Sequence, residues 1–218
     1  MQALTQMLLD AGMAGRVLRD RQLDGWLEGS AQRRYNLVHR AMAASELVRL
    51  ARGLYLLHPG IAGSAPHAFV VAQHLRPGSV VSFETALAWH GCIPEAVRLT
   101  TSVVPGRRKV EFSVPLYGDV RFVPLALRNG CGLVGVRRMA LTGGIGLVAE
   151  PLRALLDLLC WRKIPPDSLS RVLEGLRLEP ECIADIKAAD LERLRCVYQH
   201  RRMAQVIDQL DSLWFAND

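Results

Sequence analysis

The stretch SAQRRYNLVHRAMAASELVRLARGLYLL, Ser30 to Leu57, constrains the fold of this chain more than any other. Ser30 is a good helix N-cap, and the spacing after it predicts a helix from Ala31 to about Ala43. Leu37, Val38, Ala41 and Met42 form a stripe to bury; Gln32, Arg33, Asn36 and Arg40 form a polar one, with Arg34 among the basic residues beside it. The residues LVRL, ARG and LYLL then alternate around a turn containing Gly53. That pattern predicts a hairpin with a three-residue turn, with Arg49 at its base and Arg52 at its tip, both outward.

Two shorter helices precede this unit. Leu4, Met7, Leu8 and Ala11 fall on one helical face stopped by Gly12; Leu23, Trp26 and Leu27 make a second apolar face stopped by Gly29. Three short helices followed by a two-stranded hairpin is the layout of a winged helix-turn-helix, in which the third helix enters the major groove of DNA. The residue types suit that task. Gln32 and Asn36 offer the donor and acceptor pair that matches adenine, Arg33 the fork that matches guanine, and Arg49 and Arg52 charge for phosphate. Arg52, followed by a flexible glycine, also fits a narrow minor groove.

Charge is unevenly spread. Residues 1–58 carry eight arginines against five acids and residues 59–150 nine Lys or Arg against five, whereas residues 151–218 carry ten against eleven. The positive excess therefore lies in the first two thirds, where a polyanion would be met. The residues HPGIAGSAP, with two prolines and two glycines, predict a linker, giving domains at 1–60 and 66–218. No secretory leader is legible in the first thirty residues and no run reaches membrane-span length, so a cytoplasmic protein off the membrane is expected. The five cysteines are odd in number and form no C-x-x-C or zinc spacing, which predicts free thiols and no metal site.

Beyond the linker, Pro66 opens a helix through HAFVVAQHL, and SVVS leads into FETALAWHG. From Arg98 to Leu141, Val, Thr and Phe punctuated by PG, YGD and NGCG predict a meander of three to five strands. From Glu150 onward the period turns helical, with Leu152, Leu155, Leu156 and Leu159 on one face. The expected class is thus α+β: a winged helix-turn-helix, then a mixed domain with a small antiparallel sheet and C-terminal helices.

Arg107, Arg108 and Lys109 share one turn and form a compact positive tip for nucleic acid or an acidic partner. TGGIG has neither dinucleotide-loop spacing nor a P-loop lysine and reads as a turn. His74 and His90 stand at helix ends, where imidazole serves orphan carbonyls. Residues 59–150 hold only Glu84, Glu95, Glu111, Asp119 and Glu150 as acids, without the clustering that metal-dependent transferases use, and G-x-S-x-G is missing. The chain is therefore expected to have no catalytic residues and no cofactor.

LVRLARGLYLLHP, SVVSFETALAWHG, RLTTSVVPGRRK and GLVAEPLRALLDLL together resemble the AbiEi family of antitoxin transcriptional regulators, over roughly residues 1–215. The resemblance matches Arg52, Gly53 and Tyr55 to the wing, Ser82, Ala86, Leu87 and Gly91 to the helix after the first strand, and Leu155, Leu156 and Asp157 to the late helix. It implies a winged-helix domain that binds operator DNA and represses its own operon. It also implies an α+β domain that neutralises a nucleotidyltransferase toxin by an indirect route. Members commonly have a glycine between the recognition helix and the wing, where this chain has AMAASEL. The rival expectations are a solitary transcription factor whose second domain senses a ligand or dimerises, and an enzyme acting on nucleic acid.

Overall fold

A computed structural model describes residues 1–215 and divides them into two compact units. The first comprises residues 1–77 with the strand tips 112–119 and 139–146, and the second comprises 78–111, 120–138 and 147 onward.

The first unit begins α1 (Ala3–Asp10), β1 (Leu18–Arg19), α2 (Asp20–Trp26), α3 (Ala31–Ala43), β2 (Leu47–Ala51), β3 (Leu54–Leu57). Its three strands form an antiparallel sheet in the order β1-β3-β2. Ser30 caps α3 as its sequence predicts, its Oγ accepting from the Arg33 amide at 3.2 Å. Leu4, Leu8, Leu18, Leu23, Leu27, Ala41, Leu47 and Leu57 form one buried cluster, with Leu37, Val38 and Met42 of α3 packed against it. Each fully buried leucine contributes about 1.5–3 kcal/mol relative to an exposed one, so this cluster supplies most of what holds three short helices together. Three residues expected inside it are not: Met7 and Trp26 are about two-fifths exposed, and Ala11, just past the end of α1, is exposed as well.

Two turns differ from expectation. The hairpin closes through Arg52 and Gly53 alone, and the register shifts between Arg49 and Ala51, so one residue of β2 is absorbed as a bulge rather than in the turn. The expected linker contains a helical turn, α4 (Pro59–Ala62), capped by His58 Nδ1, and the unit continues through α5 (Ala68–Leu75) to Pro77. The strand tips are fixed to this region by hydrogen bonds at its main chain. The His67 amide donates to the Thr142 carbonyl at 2.8 Å, and Tyr117 OH donates to the Pro66 carbonyl at 2.9 Å. Burial pushes the Tyr117 hydroxyl up to about 12. Gly143, in the TGGIG turn, has φ +84°, and a Cβ there would stand 2.5 Å from the Gly15 carbonyl and from Pro66.

The remaining elements are β4 (Val80–Val81), α6 (Phe83–Trp89), β5 (Thr100–Val104), β6 (Val110–Val114), β7 (Gly118–Pro124), β8 (Val136–Leu141) and β9 (Gly144–Ala149). Helices follow: α7 (Pro151–Trp161), α8 (Leu169–Leu176), α9 (Pro180–Ala184), α10 (Ala188–Arg195) and α11 (Arg201–Phe215). The class is therefore mixed α+β. The expected antiparallel meander is corrected to a six-stranded mixed sheet, ordered β6-β7-β5-β4-β9-β8. β5 runs parallel to β7 from Thr100 opposite Val120 to Val104 opposite Pro124, and β4 parallel to β9 at Val81 opposite Val148. Alternation reveals strands but not their partners, so a β6 placed at the sheet edge leaves no mark in the sequence.

Helix α7 also departs from its expected single apolar face, because every residue from Leu152 to Cys160 is buried. Its two charged residues pair across one turn, Arg153 Nε donating to Asp157 Oδ1 at 2.9 Å with both side chains fully buried. Asp157 further accepts from Ser82 Oγ at 2.6 Å and Tyr198 OH at 2.8 Å, and Arg153 Nη1 donates to the Val134 carbonyl at 2.6 Å. Burial works against the Arg153 charge, but Asp157 and Tyr198 outweigh it and hold the guanidinium above its ordinary value.

The expectation of free thiols is corrected at one pair. Cys92, just after α6, and Cys182, in α9, form a disulfide with their Cα atoms 5.4 Å apart, leaving Cys131, Cys160 and Cys196 free. The two partners lie 90 residues apart, a separation from which no pairing can be read. Among the described residues, no helix is long and apolar enough to cross a membrane.

Candidate nucleic-acid interface

The exposed side of α3 is built by the same stripe that packs it. Leu37, Val38, Ala41 and Met42 face the cluster, so residues half a turn away must face solvent. Gln32, Arg33, Asn36 and Arg40 are all exposed there. Gln32 Nε2 donates to Asn36 Oδ1 at 3.1 Å across one turn, which pre-orients both amides. Arg49 and Arg52 of the hairpin are exposed as well. None of Arg33, Arg40, Arg49 and Arg52 forms a salt bridge among the described residues, so four guanidiniums in this unit keep their charge for an incoming anion.

Arg34 differs from its neighbours. It is half-buried, its Nε donating to Asp24 Oδ1 at 2.9 Å and its Nη1 to the Gly29 carbonyl at 2.7 Å, so it ties the end of α2 to the start of α3. The signal was present in the sequence: Arg34 stands three residues before Leu37, four before Val38 and seven before Ala41, the spacing of the buried stripe. Two residues of the outer face were missed. Tyr35 is 64% exposed and His39 exposed, with their rings stacked at 5.9 Å, adding aromatic surface to the polar row. Their separation of four residues was the available sign.

The hairpin tip is held from behind. Gly53, at φ +72°, brings its backbone to α2, its carbonyl accepting from the Asp20 amide at 3.1 Å; a Cβ on it would lie 2.9 Å from Asp20 Oδ2. Burial, then the nearby Asp20 carboxylate, raises the Tyr55 hydroxyl above its ordinary value. Between α3 and β2 this chain has no glycine, and Ser45 itself takes the left-handed conformation, φ 56°, that the reversal requires. Glu46 follows, accepting from the Gln2 amide at 2.7 Å. The neighbouring Thr5 hydroxyl and the bond from the Gln2 amide hold its carboxyl below the usual range.

The second unit carries the other expected residues. Arg107, Arg108 and Lys109 occupy the turn between β5 and β6 and are exposed. Lys109 Nζ is 2.8 Å from Glu111 Oε1, a carboxylate that also holds Arg121, so its charge is partly spent within the sheet. The same unit has a cleft of about 560 Å³ lined by Thr85, Leu99, Thr101, Arg121, Trp161 and the Glu84–Arg162 ion pair. His90 stands at the end of α6 as expected, but its Nε2 lies 2.9 Å from the carbonyl of Ala149, the last residue of β9, rather than from an orphan carbonyl of a helix. Among the described residues no three His, Cys, Asp or Glu side chains group as a metal site.

The chain matches no protein-family model and no curated protein sequence.

Proposed function

We propose that the first unit is a winged helix-turn-helix that binds duplex DNA, and that the chain is a transcriptional repressor resembling type IV antitoxins. In this reading α3 is the recognition helix and β2–β3 the wing. The observation that carries it is the conjunction, in the order α1-β1-α2-α3-β2-β3, of an exposed amide-and-arginine face on α3 with a hairpin whose arginines pair with no carboxylate among the described residues. Gln32, Arg33 and Asn36 read base edges in the major groove, Arg40 and Arg49 meet phosphates, and Arg52 follows the backbone or minor groove. Phosphate contacts supply most of the affinity and make it steeply salt-dependent.

In the full reading the chain represses its own operon and its second unit counters a nucleotidyltransferase toxin without forming a tight complex. The test is a salt-titrated gel shift on the DNA upstream of the protein's own gene. A preference over random duplex at physiological salt, lost together with Arg33, Asn36 and Arg52, supports the repressor. Equal binding to both duplexes, or indifference to all three substitutions, overturns it. A neighbouring nucleotidyltransferase gene, and rescue of cells expressing it, tests the antitoxin half separately.

The cleft of the second unit favours one alternative, a solitary regulator whose affinity for DNA responds to a small molecule bound between Trp161 and the Arg121 and Arg162 guanidiniums. A change in operator affinity on adding such a ligand, abolished by Trp161→Ala, would select that reading.

A further inference from the structure

Three cysteines lie outside the disulfide, and two of them are brought together by the fold. Residues 126–128 and 197–199 run alongside each other as a short splice. Leu127 and Tyr198 pair as an antiparallel bridge. The Arg128 amide donates to the Val197 carbonyl at 2.8 Å, the Gln199 amide to Ala126 at 3.0 Å, and Gln199 Nε2 to Leu127 at 2.7 Å. Cys196 immediately precedes this splice at the end of α10. On the other side the NGCG turn doubles back, the Cys131 amide donating to the Arg128 carbonyl at 3.1 Å. The splice and the turn thereby set Cys131 beside Cys196, whose own thiol donates to the Arg193 carbonyl at 3.4 Å.

We propose that Cys131 and Cys196 are a redox-active dithiol that closes to a second disulfide on meeting a hydroperoxide. Cys196 is exposed and Cys131 half-buried, which assigns the first attack to Cys196. The Cys196 thiolate attacks the terminal peroxide oxygen, the O–O bond breaks, sulfur keeps that oxygen as a sulfenic acid, and the leaving alkoxide or hydroxide takes up the proton the thiol released. The Cys131 thiolate then attacks the Cys196 sulfur, the sulfur–sulfur bond forms, and hydroxide leaves to combine with the Cys131 proton as water. With hydrogen peroxide, two thiols give up two electrons and two protons, and two waters result.

The site has the features such a pair needs. Cys196 beside it, then burial, raise the Cys131 thiol above its ordinary value, whereas the Arg128 and Arg153 guanidiniums pull the other way. The third free thiol is the internal control: Cys160 is buried, and that burial pushes it up to about 11. Closure also has a structural target. The NGCG turn ends on Gly132 and leads to Val134, and the carbonyls of these two residues accept from Arg153 Nη1 at 3.3 and 2.6 Å, so the new bond would fasten the loop that caps the buried Arg153–Asp157 pair.

The experiment treats the full chain with hydrogen peroxide, quenches with iodoacetamide under denaturing conditions, and maps peptides by mass. The expected product is a monomer lighter by about 2 Da, with Cys131 joined to Cys196, Cys160 alkylated and full reversal by dithiothreitol. In Cys131→Ser, Cys196 should accumulate as a dimedone-reactive sulfenic acid. In Cys196→Ser, Cys131 should oxidise roughly ten-fold more slowly or less. Wild-type protein in which Cys196 proceeds to sulfinic acid beside a free Cys131, or in which links form only between chains, overturns the proposal without recourse to any variant.

Discussion

At the scale of single residues, Asp157 has the most to lose. It accepts three hydrogen bonds, from Ser82, Arg153 and Tyr198, in a site closed to water. Removing one partner of a buried ion pair strands the other, so Asp157→Ala should lower the unfolding free energy of the second unit by about 3–5 kcal/mol. Ser82→Ala, which deletes a single bond, should cost about 1–3 kcal/mol; equal losses for the two in denaturant titrations would refute this partition. Histidines make the first unit sensitive to acid. Burial lowers His67 below 6.5, and burial, then Arg19, lowers His74 likewise. Native imidazoles resist a proton that the unfolded chain accepts, so this stabilisation is complete above 6.5 and fades as pH falls through the lowered native values. The first unit should therefore melt at lower denaturant at pH 5.5 than at pH 7.5, and a His67→Asn, His74→Gln double variant should flatten that slope. Such residues are only half legible in sequence. Ser82 and Asp157 stood out by resemblance, but a hydrogen bond between residues 75 apart exists only after the sheet has formed. Arg34 could have been set apart by its register on α3, and Tyr35 and His39 by their spacing.

At the scale of elements, α3 and the hairpin should fail differently. Asn36→Ala should cost about 1–3 kcal/mol at one base position and little elsewhere, whereas Arg52→Ala should weaken binding to every duplex and reduce the salt slope by about 1. Fluorescence anisotropy over a panel of duplexes at several salt concentrations separates the two. The reversal between α3 and β2 invites another substitution. Ser45 holds a backbone conformation that costs a residue with a Cβ about 1 kcal/mol, partly offset by the greater freedom of an unfolded glycine, so Ser45→Gly should stabilise by up to about 1 kcal/mol. Local signals announced these elements faithfully because their causes are local: the Ser30 cap, the stripe from Leu37 to Met42, the Gly53 turn. Where partners decide, as for the parallel pairing of β5 with β7, the sequence is mute. The β2 bulge slipped past for a related reason, since period-two alternation does not say which strand absorbs an extra residue.

At the scale of the whole molecule, the Cys92–Cys182 bond ties the second unit across 90 residues, and Cys182→Ser should cost that unit about 2–5 kcal/mol in non-reducing denaturant titrations. The unit composition has a broader consequence. The expected boundary at residues 59–65 assumed two domains laid end to end, yet the first unit keeps residues through Pro77 and borrows strand tips at 112–119 and 139–146. Gly143, pressed against the Gly15 carbonyl and Pro66, belongs to the last of these pieces. During synthesis the ribosome must therefore deliver residue 146 before the amino-terminal unit has all its parts. At roughly 5–20 residues per second, several seconds pass in which the helices at the front of the chain exist without the strand tips they will rest on.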